Sequence, residues 1–583
     1  MKHIAELLLL SVILAACAAR APVTALASSP ATSPGPEPSP AASPPGKLAH
    51  PEAYLYYAVA QLQAQAGALD DAIAEIRKAV ALDPESPVLW TALARWLQRK
   101  EAFTEAIEAA RRGVQLDPAR VSSRLVLAEL YHAQRRLAEA AEELEAVIAQ
   151  NPANPDPYLT LARYYVDRKE FARAETVLKR LLQVQPGNAQ VYFLLGRIAG
   201  EQEQWDEAIR SLTRAVDLDP DHDAAWLTLG YVYETRKMDG EAIKTYRRAM
   251  ELNPDNPALL ERLGDLLIRM GRFPEAQKEV EALATQMGSD PRVWLRLGVI
   301  YYEQKAYDKA IETFRRAIAL DPTNLRARFF LSSAFFDGGK EPEALAELEA
   351  ILRSDPRSID ARLQQAYIHS KAKRHDQAIR VLREAVNLDP KRPDLFLHLG
   401  TAYARGQQYE QAVKILREGL ELDAGAKDLH FQLGVAYEKL GRFDEAVAEF
   451  RRVLALDPTH AEAYNYVGYM FAEKGINLDE AVRLIEKALE LEPKNGYYID
   501  SLGWAFYQQG RYPEALRELR RAAEFAKDDP VIFEHLGDVA LKNGLELEAL
   551  RAYERSLDLD PKNEAILRKL EDLRKKPAGT GQP

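Results

Sequence analysis

An alanine that returns every 34 residues constrains the fold of this chain more than any other feature of its sequence. With that alanine at position 20, fifteen consecutive units fill residues 53–561, and one residue is inserted in the thirteenth unit. The recurring residues are Ala72, Ala106, Ala140, Ala174, Ala208, Ala242, Ala276, Ala310, Ala344, Ala378, Ala412, Ala446, Ala481, Ala515 and Ala549. A fixed period of this length is typical of repeat arrays. We therefore predict small units that each stack on their neighbours.

Each unit has the pattern of two antiparallel helices. In unit two, Trp90, Leu93 and Ala94 occupy positions 4, 7 and 8, and Ala106 occupies position 20. Steps of three and four residues stay on one side of a helix, so each unit carries two apolar stripes that meet. Position 8 is small in every unit, which lets the two helix axes approach closely. Pro118, at position 32, ends the second helix because proline lacks an amide donor and disfavours helix in the preceding residue.

This spacing and residue pattern resemble the tetratricopeptide repeat (TPR) over residues 53–561. The resemblance implies an all-α fold, a right-handed superhelical solenoid of about fifteen helix-turn-helix units. It also implies a concave groove, lined by the first helix of each unit, that binds protein or peptide partners. Beyond the repeats, Ile566, Leu570 and Leu573 fall on one helical face. We therefore expect residues 562–583 to hold a cap helix and a disordered tail.

The N-terminal residues have the features of an export signal. Residues 1–16 combine a basic start, a short apolar core and small residues, and the apolar run is too short to span a bilayer. The tetrapeptide Leu14-Ala15-Ala16-Cys17 resembles the lipobox of bacterial lipoproteins. The resemblance implies that residues 1–16 are a signal peptide that is removed and that Cys17 carries a lipid. The alternative is that Cys17, the only cysteine in the chain, is a free buried thiol.

Residues 17–52 form a tether in this interpretation. Eight prolines lie between Ala18 and His50, and the segment is too poor in large apolar residues to offset the entropy of ordering it. At roughly 3 Å per residue, about 30 extended residues reach on the order of 90 Å. In the lipoprotein family an aspartate after the cysteine is associated with inner-membrane retention, and Ala18 and Ala19 stand there instead. The resemblance therefore implies an outer-membrane anchor that faces the periplasm.

Charge and residue chemistry argue against several classes of function. The formal net charge of −11 has the wrong sign for a nucleic-acid scaffold. No two of the ten histidines are four residues apart and no second cysteine is present, which argues against a metal site. We find no phosphate-binding loop and no region outside the repeats long enough for a catalytic domain. We therefore expect no enzymatic activity, no cofactor and no metal.

Unit fourteen has the most unusual inner face. The resemblance places positions 2, 5, 9, 12 and 13 on the concave surface, and in this unit they are Tyr497, Asp500, Trp504, Tyr507 and Gln508. Aromatic side chains contribute a large contact area, which is typical of a peptide-binding hot spot. The alternative is that Trp504 and Tyr507 pack against the first helices of units thirteen and fifteen.

Charge changes along the same face. Position 9 is arginine in three early units, as Arg95, Arg163 and Arg197. Acids stand at comparable positions later, as Glu261, Asp265, Glu303, Asp337 and Asp360. A reversal of charge along the groove is a candidate recognition feature. An ordinary solvated helix face produces similar runs.

These observations predict a membrane-anchored scaffold that binds protein or peptide partners in its groove. By resemblance, its role is the assembly of an envelope complex such as a pilus, a secretion system or a polysaccharide exporter. The alternative is a ligand-binding regulator of a cell-envelope enzyme that recognises peptidoglycan or polysaccharide. Aromatic residues mixed with alternating charge, as in this groove, favour a peptide over a sugar.

Overall fold

The computed structural model describes residues 51–254 and 256–575. The predicted signal peptide, Cys17 and the tether up to residue 50 lie outside the described residues, as do the last residues, 576–583. Within the described ranges the chain forms 31 α-helices and no β-strand. The prediction of an all-α fold is confirmed.

The helices group into two compact bodies, divided between Leu320 and Asp321. The first body contains α1 Pro51–Gln65, α2 Leu69–Leu82, α3 Pro87–Arg99, α4 Phe103–Leu116, α5 Val121–Ala133, α6 Leu137–Gln150, α7 Pro155–Asp167, α8 Phe171–Val184, α9 Ala189–Glu201, α10 Trp205–Leu218, α11 Asp223–Thr235, α12 Asp239–Leu252, α13 Pro257–Arg269, α14 Phe273–Gln286, α15 Pro291–Glu303 and α16 Tyr307–Leu320. The second contains α17 Leu325–Asp337, α18 Glu341–Ser354, α19 Ile359–Lys371, α20 His375–Leu388, α21 Pro393–Arg405, α22 Tyr409–Leu422, α23 Lys427–Lys439, α24 Phe443–Leu456, α25 Ala461–Lys474, α26 Leu478–Leu491, α27 Gly496–Gln508, α28 Tyr512–Phe525, α29 Pro530–Lys542, α30 Glu546–Leu559 and α31 Glu564–Lys575.

From α1 to α30, each odd-numbered helix is the first helix of a unit and the next even-numbered helix is its second. Second helices end just before the predicted proline: α4 stops at Leu116, and Pro118 follows its cap residue Asp117. Many first helices begin after a polar cap, as where the Asn188 side chain accepts a hydrogen bond from the Val191 amide at 3.2 Å. Such caps satisfy amide groups that have no partner within the helix.

The inserted residue of unit thirteen lengthens the first helix of that unit, and the turn to the second helix keeps the three residues found in unit twelve. Helix α25 has 14 residues, whereas the first helices of the flanking units, α23 and α27, have 13. Gly475 and Asn477 both adopt the left-handed conformation there, with φ of 65° and 49°. Glycine and asparagine tolerate this region better than other residues. The insertion therefore leaves the pairing of α25 with α26 intact.

Close approach within and between units explains the small residues of the repeat. A Cβ atom at Gly298, position 8 of α15, would lie 2.4 Å from Cε1 of the buried Phe314 on α16. Between units, a Cβ atom at Gly419, position 27, would lie 3.0 Å from Cδ1 of Leu429, position 3 of the next unit. The second helix of one unit therefore covers position 3 of the unit that follows.

Helix α31 covers the C-terminal end of the second body. It starts at Glu564, 34 residues after Pro530, so it occupies the place of the first helix of a sixteenth unit. Its apolar face is buried, with Ile566, Leu570 and Leu573 exposed by 0%, 6% and 9%. The predicted cap helix is confirmed.

Candidate partner-binding site

A buried acid and histidine lie at the centre of the cluster predicted in unit fourteen. The Asp500 side chain on α27 and the His535 side chain on α29 are each only 10% exposed. Nδ1 of His535 donates to the two carboxylate oxygens of Asp500, at 3.0 and 3.1 Å. Asp500 is therefore held inside the cluster by a residue of the next unit, and it is not an exposed acid of the groove.

Aromatic rings stack around this pair. The Trp504 ring lies 4.2 Å from the His535 ring and 4.8 Å from the Tyr507 ring, with interplanar angles of 17° and 15°. Tyr507 in turn lies 5.6 Å from Tyr512. Trp504 and Tyr507 are partly buried. Ring pairs at such separations contribute roughly 0.5–1.5 kcal/mol beyond their buried area. The packing alternative therefore accounts for part of the Trp504 surface, since that ring contacts the first helix of unit fifteen.

Tyr497 is the most exposed of the five predicted residues. Its side chain is 58% exposed, at the start of α27, where the Asn495 side chain caps the helix by accepting from its amide at 3.1 Å. Gln508, at the other end of α27, is partly buried. The structure thus brings Asp500, Trp504 and Tyr507 together and leaves Tyr497 at the edge of the cluster, open to solvent.

Two opposing effects act on the pKa of His535. Burial lowers it, but the charge of Asp500 and the hydrogen bond to its carboxylate raise it, and the net pKa lies above the ordinary value of 6.5. Asp538 and Glu534 raise it further. The protonated form, which donates to Asp500 and stacks on the electron-rich indole, is favoured in this environment.

At two other places a residue at position 6 contacts acids on the preceding first helix in the same way, but there it is an arginine or a lysine. Arg296, at position 6 of its unit, contacts Glu261 at 2.6 Å and Asp265 at 2.7 Å on the preceding first helix. Lys569 of α31 contacts Glu534 at 2.9 Å and Asp538 at 2.7 Å. The sequence separations are 35 and 31 residues in both cases.

His535 is the residue that the sequence analysis missed. It lies 35 residues after Asp500, the separation that joins the position-6 cation to the position-5 acid in the other two contacts. Position 9 is an acid in those two contacts, and here it is Trp504. A search for opposite charges 35 residues apart would have found the pair.

The three predicted arginines lie in the first body. Arg95 and Arg163 are exposed, and Arg197 is partly buried. The guanidinium of Arg163 lies 5.8 Å from the Tyr164 ring, and that of Arg197 lies 5.7 Å from the Phe193 ring. Glu261 and Asp265 are both paired with Arg296, so the charge of these two acids is largely neutralised within the chain.

A cavity of about 340 Å³ opens on α23, α24 and α25, in the same body as the cluster. Its lining includes Phe443, Tyr466, Tyr469 and Met470, together with charged residues. Burial raises the pKa of Tyr469, and so do its hydrogen bond to Glu473 and the nearby charge of Asp500. The charge of Asp500 therefore acts on one residue of the cavity lining, Tyr469.

Across residues 51–254 and 256–575, no group of three or more histidine, cysteine or acidic residues is arranged to hold a metal ion. Among the helices that the structure describes, none is both long and apolar enough to cross a bilayer.

Comparison with known families agrees with the fold. Sequence models of the tetratricopeptide repeat match residues 51–96, 301–367, 370–425, 428–460 and 503–544. The model of the C-terminal domain of cilia and flagella-associated protein 70 matches residues 112–319. With the helix pairs described above, these matches identify the protein as an all-α solenoid of tetratricopeptide repeats. Repeat solenoids present extended binding surfaces, and this fold is a scaffold for protein–protein interaction.

Individual relatives are similar over short stretches or at low identity. A TPR repeat-containing protein of Pseudomonas aeruginosa is 40% identical over 58 residues, which is 10% of this chain and 10% of the relative's length. Among solved structures, Cut9–Hcn1 of the APC/C matches with 14% identity over 84% of this chain and 98% of its own, with a TM-score of 0.37. A tetratricopeptide repeat protein from Parabacteroides merdae matches with 15% identity over 43% of this chain and 98% of its own, with a TM-score of 0.38.

Proposed function

We propose that this protein is a lipid-anchored scaffold that binds a protein partner through the inner face of α25, α27 and α29. The observation that carries the proposal is the cluster of Asp500, His535, Trp504 and Tyr507, with the exposed ring of Tyr497 beside it.

The cluster has the physical properties of a binding hot spot. The buried hydrogen bonds from His535 to Asp500 fix the two helices relative to each other, and the stacked rings restrict the rotamers of Trp504 and Tyr507. A surface that is already ordered loses little entropy when a partner binds. Aromatic residues near the centre of a patch contribute much of the binding energy of protein interfaces.

The chemistry of the patch favours a peptide segment as the ligand. The aromatic rings offer apolar contact, and the cavity on α23, α24 and α25 has both apolar and charged lining residues. A segment with one apolar anchor side chain and flanking polar groups suits this mixture better than a sugar chain does.

The proposed cellular context is the cell envelope. Cys17 would carry the lipid, residues 1–16 would be removed, and the tether would hold the repeats away from an outer membrane, facing the periplasm. A scaffold in that position would serve the assembly of an envelope complex, such as a pilus, a secretion system or a polysaccharide exporter. The repeat fold, typically non-catalytic, supports a role in binding.

The experiment that tests the groove places a photo-crosslinking amino acid at Tyr497 in cells. The matched control is the same amino acid at Asp360, which is also exposed and also at position 2 of a first helix in the second body. We expect a discrete protein adduct at Tyr497, none at Asp360, and at least a tenfold loss of the Tyr497 adduct on adding Tyr507→Ala. Circular dichroism checks that Tyr507→Ala remains folded. A Tyr497 probe that captures no protein while Asp360 does would contradict the proposal.

A further inference from the structure

The N-terminal end of the first body exposes a surface that every following unit of that body buries. In units two to eight, the residues at positions 3 and 10 of the first helix are all buried. The position-3 residues are Leu89, Ser123, Pro157, Val191, Ala225, Leu259 and Val293. The position-10 residues are Trp96, Leu130, Tyr164, Ile198, Val232, Leu266 and Ile300. In α1 the same two positions are Leu55 and Leu62, and their side chains are 64% and 67% exposed.

These exposed leucines lie on one face of α1. Leu55, Ala58 and Leu62 are separated by three and four residues and so share a helical face, and all three are exposed. We name these residues the N-terminal stacking face. In the other units such a face packs under the second helix of the preceding unit, as Leu429 does under Gly419. Terminal units of repeat arrays normally have a polar outer face, whereas this one carries two leucines.

An acidic residue beside this face matches a contact that recurs between units. Second helices are joined by an arginine at position 25 and a glutamate at position 19 of the next unit. The pairs are Arg77–Glu105 and Arg247–Glu275 at 2.5 Å, Arg451–Glu480 at 2.7 Å and Arg520–Glu548 at 2.6 Å. Asp71 is position 19 of unit one, it is exposed, and no cation pairs with it in the described part of the chain. The first unit thus has both the acid and the apolar residues with which the other units contact a preceding second helix.

We propose that the N-terminal stacking face and Asp71 form a docking site for an amphipathic helix of a partner protein. The helix lies where the second helix of a preceding unit would lie. It carries a small residue opposite Leu55, apolar residues along Leu62, and an arginine or lysine that pairs with Asp71.

The observations favour a partner's helix over the chain itself. The residues directly before α1 include eight prolines between Ala18 and His50, and proline interrupts helices. In a contact between the α1 helices of two copies, α1 does not supply the cation, because it has no lysine or arginine. The opposite end of a second copy is also occupied, since Ile566 and Leu570 of α31 are buried.

The probe for this site is a helix-stabilised peptide with the sequence of α2, residues 69–82. In the chain, α2 is followed by the buried Leu89, and its Arg77 pairs with Glu105 at 2.5 Å. The protein is the full chain with Cys17→Ala. We expect the labelled peptide to bind with 1:1 stoichiometry in fluorescence anisotropy. Leu55→Glu and Leu62→Glu should each weaken binding at least tenfold, and Leu547→Glu, at a leucine 76% exposed on α30, should have no effect.

A charge swap tests the assignment of Asp71. Asp71→Arg should weaken the native peptide about tenfold, and a peptide carrying Arg77→Glu should recover that loss only with the Asp71→Arg protein. The proposal is overturned by absence of binding, by binding that Leu55→Glu and Leu62→Glu leave unchanged, or by a concentration-dependent dimer that these variants abolish. It is also overturned if Leu62→Cys, in the Cys17→Ala chain, resists maleimide labelling before peptide is added, because the face would then be covered by the chain's own residues.

Discussion

The histidine at position 6 of unit fifteen stands where Arg296 and Lys569 stand in the other two acid–cation contacts. Arginine and lysine stay charged at physiological pH, whereas histidine titrates there. The hydrogen bond from His535 to Asp500 therefore depends on pH in a way that the other two contacts do not. It also supports the stacking of Trp504, since that ring lies 4.2 Å from His535.

The first prediction concerns this pH dependence. The pKa of His535 is raised above 6.5 in the folded state, so its contribution to stability is complete below pH 6.5 and is lost as the pH rises through the folded-state pKa. Asp500→Asn removes the charge that raises the pKa of His535 most, so burial is opposed less and the pKa should fall. NMR titration of the His535 ring should show this drop. The variant should also lower the free energy of unfolding by about 1–3 kcal/mol at pH 6, and by less at pH 8.5.

The control for this prediction is Asp360→Asn, which changes an exposed carboxylate of the same body. It should leave both the His535 titration and the unfolding free energy unchanged. An unchanged pKa of His535 in Asp500→Asn would show that the carboxylate does not control the ring.

At this scale the sequence predicted which residues are unusual and did not predict their partners. The resemblance to the repeat family places positions 5, 9 and 12 of unit fourteen on the groove, and the pattern behind it describes one unit at a time. The burial of Asp500 is compensated by His535, one unit later, which donates to its carboxylate. The choice of a partner by a polar side chain depends on packing between helices, which the pattern within one unit does not contain.

At the scale of helices, the period of the sequence determines the structure closely. The proline at position 32 and the small residue at position 8 each correspond to an observed contact or helix end. The exposed leucines of α1 could not be recognised in the same way, because the sequence pattern of unit one resembles that of the buried units. Leu55 and Leu62 differ from the matching buried residues of the other units only because no second helix precedes α1 in the described residues.

The second prediction tests the close approach at position 8. In Gly298→Ala the new Cβ atom would lie 2.4 Å from a carbon of Phe314, a fully buried ring that would have to shift within the core. Overpacking of this kind costs about 1–3 kcal/mol. The matched control is Gly200→Ala in α9, where nothing lies within 4 Å of the new atom. That change should stabilise the helix by about 0.5–1 kcal/mol, because alanine has the higher helix propensity.

Denaturant unfolding followed by circular dichroism measures both variants. The two glycine substitutions should change the unfolding midpoint in opposite directions. If both variants shifted the midpoint upward, the small residue at position 8 would reflect something other than the contact with Phe314.

At the scale of the whole molecule, stability and location have separate origins. Stacked repeats derive their stability mainly from contacts with their nearest neighbours. The described helices contain no membrane span. Any membrane attachment of the kind we propose therefore depends on Cys17 and the residues around it, and a change there should leave the repeats folded.

The third prediction separates the anchor from the groove. Cys17→Ala should move the protein from the membrane fraction to the soluble fraction, because one thiol is the only proposed site of lipid attachment. The same variant with the Tyr497 crosslinker should lose its adduct in intact cells if the partner is met at the membrane. It should keep the adduct when purified chain and partner are mixed, since the groove is unchanged.

Retention of Cys17→Ala in the membrane fraction after a high-salt wash would contradict the lipid anchor without affecting the proposed groove. Loss of the adduct in the purified mixture would show that the anchor and the groove are not independent, because membrane location and partner binding would then depend on the same residues.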